Sequence, residues 1–208
     1  NLKNSETIFG LNKFSIQKPR SRMFPYDAVF QKLARNVGIL ASKHQYARVK
    51  LNGKSWGIMN IESHISKEFL ETEKRKDSIV VRFSNEDGWK YVKTSSNPDF
   101  NYRISNPVIY SKLYSAESKL KDEINRLRYS YIVNQRLKGA SDLYNYKSYL
   151  DFLLLSEVWG TDHALYVNNL KHYFNPYTLK LEIISSDTEL KRTLAPFFLH
   201  AMLYFGNN

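Results

Sequence analysis

The stretch "YARVKLNGKSWGIMNI" (46–61) has the pattern of a β-hairpin. Ala47, Val49 and Leu51 alternate with Arg48 and Lys50, the period of a half-buried strand. Asn52-Gly53 follows, the pair best suited to a two-residue type I′ turn, because both positions need positive φ. "KSWGIMNI" then returns as the second strand.

On the N-terminal side, residues 7–18 read as a short extended segment. Phe14 and Ile16 alternate there with Lys13, Ser15 and Gln17, and Pro19 ends it. Phe24, Ala28, Leu33 and Val37 have helical spacing over 24–37, with Gly38 placed to cap the C-terminus. On the C-terminal side, a short helix is expected over 65–73 and a strand over 78–83, "SIVVRF". Residues 84–112 are polar and irregular and read as a long loop or insertion. Helical periodicity returns over 116–138 and 142–158, with Gly139 between. A second hairpin spans 168–185 around the turn Asn175-Pro176-Tyr177-Thr178, where Pro suits the second position of a type I turn. Strands come first, then helices, then another hairpin, which is an α+β order and not a regular βαβ series.

Composition narrows the function classes. The chain has 208 residues, 42% of them hydrophobic, enough for one domain with a core rich in tyrosine and phenylalanine. With 31 Lys+Arg against 20 Asp+Glu, the net charge of +11 favours anionic partners such as nucleotides, phosphoproteins, nucleic acid or anionic surfaces. The absence of cysteine excludes disulfides, thiol catalysis and cysteine-ligated zinc. The five histidines lack metal-ligand spacing, and His64 and His163 read as structural. No apolar run approaches the ~20 residues of a membrane helix. There is no GxxxxGK phosphate loop and no GxSxG elbow. Lys119, Lys121, Arg126, Arg128 and Arg136 make the 116–138 helix basic, but Glu117, Asp122 and Glu123 are interspersed, the pattern of a solvated face. Tyr129 and Tyr131 beside Arg128 keep a nucleic-acid-binding module as a third reading, with nucleic acid a disfavoured partner in the absence of a recognition signature.

The chemistry concentrates in "GTDHALYVNNLKHYFNPYTLKLEIISSD" (160–187). Asp162 follows a buried-looking helix, Asn168 and Asn169 open a strand, and Asp187 follows the returning strand. If Phe174 faces Leu179, Asn169 faces Ile184 and position 166 faces Asp187. Asn169 and Asp187 then share the open end of one hairpin, offset by three residues or roughly 10 Å. An Asp carboxylate and an Asn carbonyl are hard oxygen ligands suited to magnesium bound with phosphates. Protein kinases use the same order of a catalytic-loop Asp, a metal-binding Asn, a strand pair and a metal-binding Asp. The gaps here, seven residues from Asp162 to Asn169 and eighteen from Asn169 to Asp187, are longer than the usual kinase pattern. Asx residues at strand ends also serve as turn and capping residues.

Three linked segments resemble the CotH family of atypical, spore-coat-type protein kinases. They are "GLNKFSIQKPRSR" (10–22), "YARVKLNGKSWGIMNIESHISKEFLE" (46–71) and "HALYVNNLKHYFNPYTLKLEIISSD" (163–187), which together with the chain between them leave out mainly about 84–140. The resemblance implies a two-lobed, kinase-like α+β fold in a single domain. Residues 1–83 would form an N-terminal lobe-like part and 84–208 a mainly helical part carrying the metal-site hairpin 168–187. The front strands of that fold are not in this sequence, so the chain reads as a fragment.

The resemblance further implies ATP, magnesium or manganese, and transfer to Ser or Thr of protein substrates. Asn169 and Asp187 would hold the metal, and Asp162 would be the catalytic base or substrate-orienting carboxylate. Gln17 and Lys18 would contact nucleotide, Asp27 would pair with the cation of that strand, and Glu62 would lie where a kinase places its hinge to adenine. Arg22 reads equally as an anion clamp or a surface residue at a helix start. Thr188 stands where the family pattern implies a small residue or another acidic pattern, and Asn168 where it implies His. A bacterial spore-coat, envelope or secreted setting is implied in the same way. The second reading, from another class, is an inactive CotH-like surface or coat protein that works by binding partners.

Overall fold

The computed structural model describes residues 6–84, 110–113, 123–161, 163–165 and 169–188. Two sheets and four α-helices are present among them. In the first sheet, β3 (His44–Leu51) and β4 (Lys54–Ser63) form the hairpin expected from the sequence. Leu51 pairs with Lys54, and Asn52 and Gly53 take φ of 51° and 78°, the two positive values of a type I′ turn. A bulge between Val49 and Lys50 shifts the register. The strand β1 (Phe14–Gln17) pairs antiparallel with the other edge of β4, giving the order β1-β4-β3.

The second sheet has the order β2-β8-β7-β5-β6. Its members are β2 (Leu40–Ala41), β5 (Val80–Ser84), β6 (Tyr110–Leu113), β7 (Lys171–Asn175) and β8 (Lys180–Ser185). The sheet thus draws strands from both sides of residue 84. Only the β2–β8 pair is parallel. Residues 110–113, at the end of the stretch read as a loop, form the edge strand β6, while 85–109 lie outside the described residues.

The register of the second hairpin differs from the expected one. Asn175 pairs with Lys180, and Phe174 faces Leu181, not Leu179. The reason is local. The Asn175 side-chain oxygen accepts from the backbone N–H of Tyr177 at 2.9 Å and Thr178 at 3.3 Å. Leu179 turns left-handed at φ 57°, and its N–H bonds the Asn175 carbonyl at 2.9 Å. The turn therefore takes in Leu179, and every pairing moves two positions along β8.

Helices cover both faces of this sheet. They are α1 (Tyr26–Asn36), α2 (Lys67–Thr72), α3 (Glu123–Leu137) and α4 (Tyr146–Trp159). On one face Ile183 packs with Phe30 and Ala34 of α1 and Phe152 of α4, while Val81, Phe174 and Leu181 pack with Ile132 of α3. On the other face Leu40, Val80, Tyr173 and Ile184 meet Phe69 and Leu70 of α2. Strands covered on both sides are buried almost continuously, which is why β7 and β8 lack a clean polar alternation. The buried positions of α1 are 27, 30, 31 and 34, one stripe at helical spacing, and Asp27 lies on it. Among the described residues no helix is long and apolar enough to cross a membrane.

His172 of β7 is buried and stacks on Tyr149 of α4, with ring centroids 5.8 Å apart. Burial, with Arg136 adding to it, lowers its pKa from 6.5 to about 3. Since the folded value lies below the unfolded one, the unfolded chain takes up the proton first. The stability that neutral His172 contributes is therefore full above about pH 6.5 and is lost as pH falls towards 3. Replacing His172 with Phe should remove this slope. The wild-type chain should lose about 2 kcal/mol more than the variant between pH 6.5 and 5, read from urea unfolding at each pH. Equal slopes would show that His172 is not kept neutral by burial.

Candidate functional site

The site is built where β1 and β4 end, where the turn after β1 begins and where β8 ends. Antiparallel pairing sets Gln17 opposite Asn60 and Ser15 opposite Glu62. The Glu62 carboxylate is largely buried, and its Oε2 accepts from Gln17 Nε2 and from Arg22 Nε, both at 3.0 Å. Arg22 ends the tight helical turn Pro19–Arg22. That turn is fixed by Pro19 and by the Lys18 carbonyl, which accepts from the N–H and the hydroxyl of Ser21 at 2.9 and 2.7 Å. The other end of the Arg22 guanidinium reaches Asp187: Nη1 donates to Oδ1. Burial works against the Arg22 charge, but Glu62, then Asp187 and Asp27, outweigh it and hold its pKa above the ordinary arginine value.

Asp187 follows β8 with φ 56°, an uncommon conformation for a residue with a side chain. Its side chain is half exposed, and its second oxygen lies 3.8 Å from His163 Nε2. His163 sits on the short helical turn His163–Leu165, whose carbonyl at His163 accepts from Asn169 Nδ2 at 2.9 Å. Asn169 is therefore one link from Asp187, through His163. Lys171, opposite Ile184, donates to Ser186 Oγ at 2.7 Å. Its pKa is lowered by burial, while the nearby carboxylates of Asp187 and Glu62 pull it the other way.

Asp27 does not pair with the cation of β1. Its carboxylate points into the core, because position 27 falls on the buried stripe of α1. Oδ1 accepts from Gln31 Nε2 at 3.1 Å, from the Thr188 N–H at 3.3 Å and from the Thr188 hydroxyl. Oδ2 lies 3.7 Å from His44 Nε2, with both side chains almost wholly buried. His44 Nδ1 in turn meets the amide of Asn60 at 3.1–3.2 Å. Asp27 thus ties the first sheet and α1 to Thr188, the residue after Asp187.

The structure brings Gln17, Glu62 and Asp187 together around Arg22, with Asn169 behind His163 and Lys18 exposed on the adjoining turn. Asp162 and Asn168 lie outside the described residues. Sequence reasoning gave no place in the site to His163, His44, Lys171 or Thr188. Their partners are distant in the chain, and the available signal was only that a His and an Asp each flank the end of the 163–187 segment.

Among the described residues no three or more His, Asp and Glu side chains are gathered into a metal cage. Magnesium does not need one, since it is commonly held by one or two carboxylates with water and substrate phosphates. The donor set fits that pattern. Asp187 offers a half-exposed carboxylate, and the Asn169 amide nitrogen is committed to His163, so its oxygen is the end suited to a hard cation. Arg22 and Lys171 add positive charge that an anionic ligand would meet.

Two carboxylates and a guanidinium thus meet at the junction of the two sheets of an α+β scaffold. Residues 11–193 match the family model described as CotH kinase protein. The chain belongs to the CotH kinase family. No curated protein matches it.

Replacing Asp27 with Ala should destabilise the chain by about 3 kcal/mol or more, since it leaves Gln31, His44 and Thr188 without their buried partner. Urea unfolding at pH 7 measures this. A loss under about 1 kcal/mol would show that the carboxylate is not the tie described.

Proposed function

We propose that this chain is an atypical protein kinase with a two-lobed, kinase-like fold that transfers the γ-phosphate of ATP to Ser or Thr of protein substrates. The observation that carries this reading is one cluster. Gln17, Arg22, Glu62, His163 and Asp187 come from three separate stretches of chain and meet at one point, and all lie within the family match. Asp187 and Asn169 would hold Mg2+ or Mn2+. Bound there with ATP, the metal would neutralise phosphate charge and align the γ-phosphoryl group.

The chain's own residues supply the rest. Glu62, steadied by Gln17, orients Arg22 towards the phosphates, and Lys18 adds an exposed cation beside them. Positioning and fixed charge are most of what phosphoryl transfer asks of a protein. Asp162 is assigned the role of base or substrate-orienting carboxylate from the family pattern alone.

The test is the melting temperature of the chain with ATP, with and without magnesium. A ligand at ~100 times its dissociation constant adds about 2.7 kcal/mol, a shift of several degrees for a chain of this size. The shift should require both ATP and magnesium and should vanish in Asp187→Ala. A cooperative melt with no shift would favour a family member that works by binding partners. An undiminished shift in Asp187→Ala would remove Asp187 from the metal site.

A further inference from the structure

Arg22 holds two carboxylates of unequal burial. The Glu62 side chain is 10% exposed and is also bonded by Gln17, whereas the Asp187 side chain is 50% exposed. The two ends of the guanidinium therefore differ. The Nε end sits in an enclosed, doubly donated contact, and leaving it would strand a buried carboxylate. The Nη1 end holds an open carboxylate that solvent can reach, so its release leaves nothing buried and unpaired. A cation on Asp187 Oδ1 would share that oxygen with Nη1 and meet the positive guanidinium at close range.

We propose that Arg22 is a resident counter-cation: before metal arrives it occupies the metal-binding oxygen of Asp187, and on metal–nucleotide binding it swings about its Glu62 anchor from Asp187 to a phosphate oxygen. The exchange rests on the metal reading of Asp187 given above. It makes Arg22 a positioning residue with opposite effects on two ligands. It competes with free metal ion, and it assists the metal–nucleotide complex, because a guanidinium matches phosphate geometry. Glu62 serves as the pivot, which explains a buried carboxylate so close to the place where phosphate would lie. No covalent bond is made or broken in this step, and no proton moves.

The exchange is tested by Mn2+ binding to the full chain, followed by the paramagnetic signal of the free ion, with and without ATP. Arg22→Gln should bind Mn2+ alone about fivefold more tightly than wild type, the worth of one partly exposed ion pair. It should bind ATP in the presence of Mn2+ about tenfold or more weakly. Arg22→Lys is the second variant. Its ammonium lacks the planar fork that spans both carboxylates, so its hold on Asp187 should weaken and free Mn2+ should bind more tightly, with melting close to wild type. Free Mn2+ bound no more tightly by either variant, or ATP affinity unchanged in both, overturns the proposal. Asp187→Ala separates the two levels. Loss of Mn2+ binding there with no gain in the Arg22 variants sinks the exchange alone, and undiminished Mn2+ binding there sinks the metal reading beneath it.

Discussion

The buried carboxylate of Asp27 is the constraint on which the site depends. A charge taken out of water is tolerated only when its oxygens are occupied by good donors. Here the donors to Oδ1 come from α1 through Gln31 and from the chain beyond β8 through Thr188, while His44 of β3 lies 3.7 Å from Oδ2, beyond hydrogen-bond reach. None of these elements alone could satisfy the group. The carboxylate therefore does more than stabilise: it fixes the position of Thr188, and with it the direction in which Asp187 leaves the sheet. The left-handed backbone at Asp187 is tolerable because the residues on either side are held, Ser186 by Lys171 and Thr188 by Asp27.

Above this buried layer lies a second, half-exposed layer of charge. Glu62, Arg22 and Asp187 alternate in sign, with His163 and Lys171 at the margin. The division suits a binding site. The lower layer is rigid because its groups have no access to water, while the upper layer can trade partners because water can replace any one of them.

Much of the architecture is legible in the sequence where a short-range rule decides it. The first hairpin follows from alternation and from Asn52-Gly53; a helix is expected at α1 too, but on the wrong stripe, since Phe24 and Val37 lie outside it and are exposed while positions 27, 30, 31 and 34 are buried. The failures come where a side chain overrides the local rule. Asn175 bonds the turn with its own side chain, which moves the β7–β8 register by two residues. The two residues of β2 are too few to carry any period. Asp27 was legible as an acidic residue on a helix, but its place on the buried stripe points it at His44 and Thr188 and away from the strand cation. Arg22 was visible as a basic residue near a helix start. Its significance lies in Asp187, which is 165 residues away in the chain and beyond any window of pattern reading.

The pairing of β2 with β8 has a consequence for the order of events when the chain is made. The first sheet is closed by Ser63, with α1 and β2 lying between its strands β1 and β3. The second cannot be finished until β8 exists, and the bond from Thr188 to Asp27 spans 161 residues. Contacts so distant in sequence form late, after nearer ones have paid the entropy of bringing the chain together. A nascent chain emerging from the ribosome thus carries Gln17, Arg22 and Glu62 well before Asp187 is synthesised. For that interval Leu40 and Ala41 present an unpaired backbone edge, and the guanidinium of Arg22 has one carboxylate in place of two. The pairing of β2 with β8 is then also the step that brings Asp187 to Arg22.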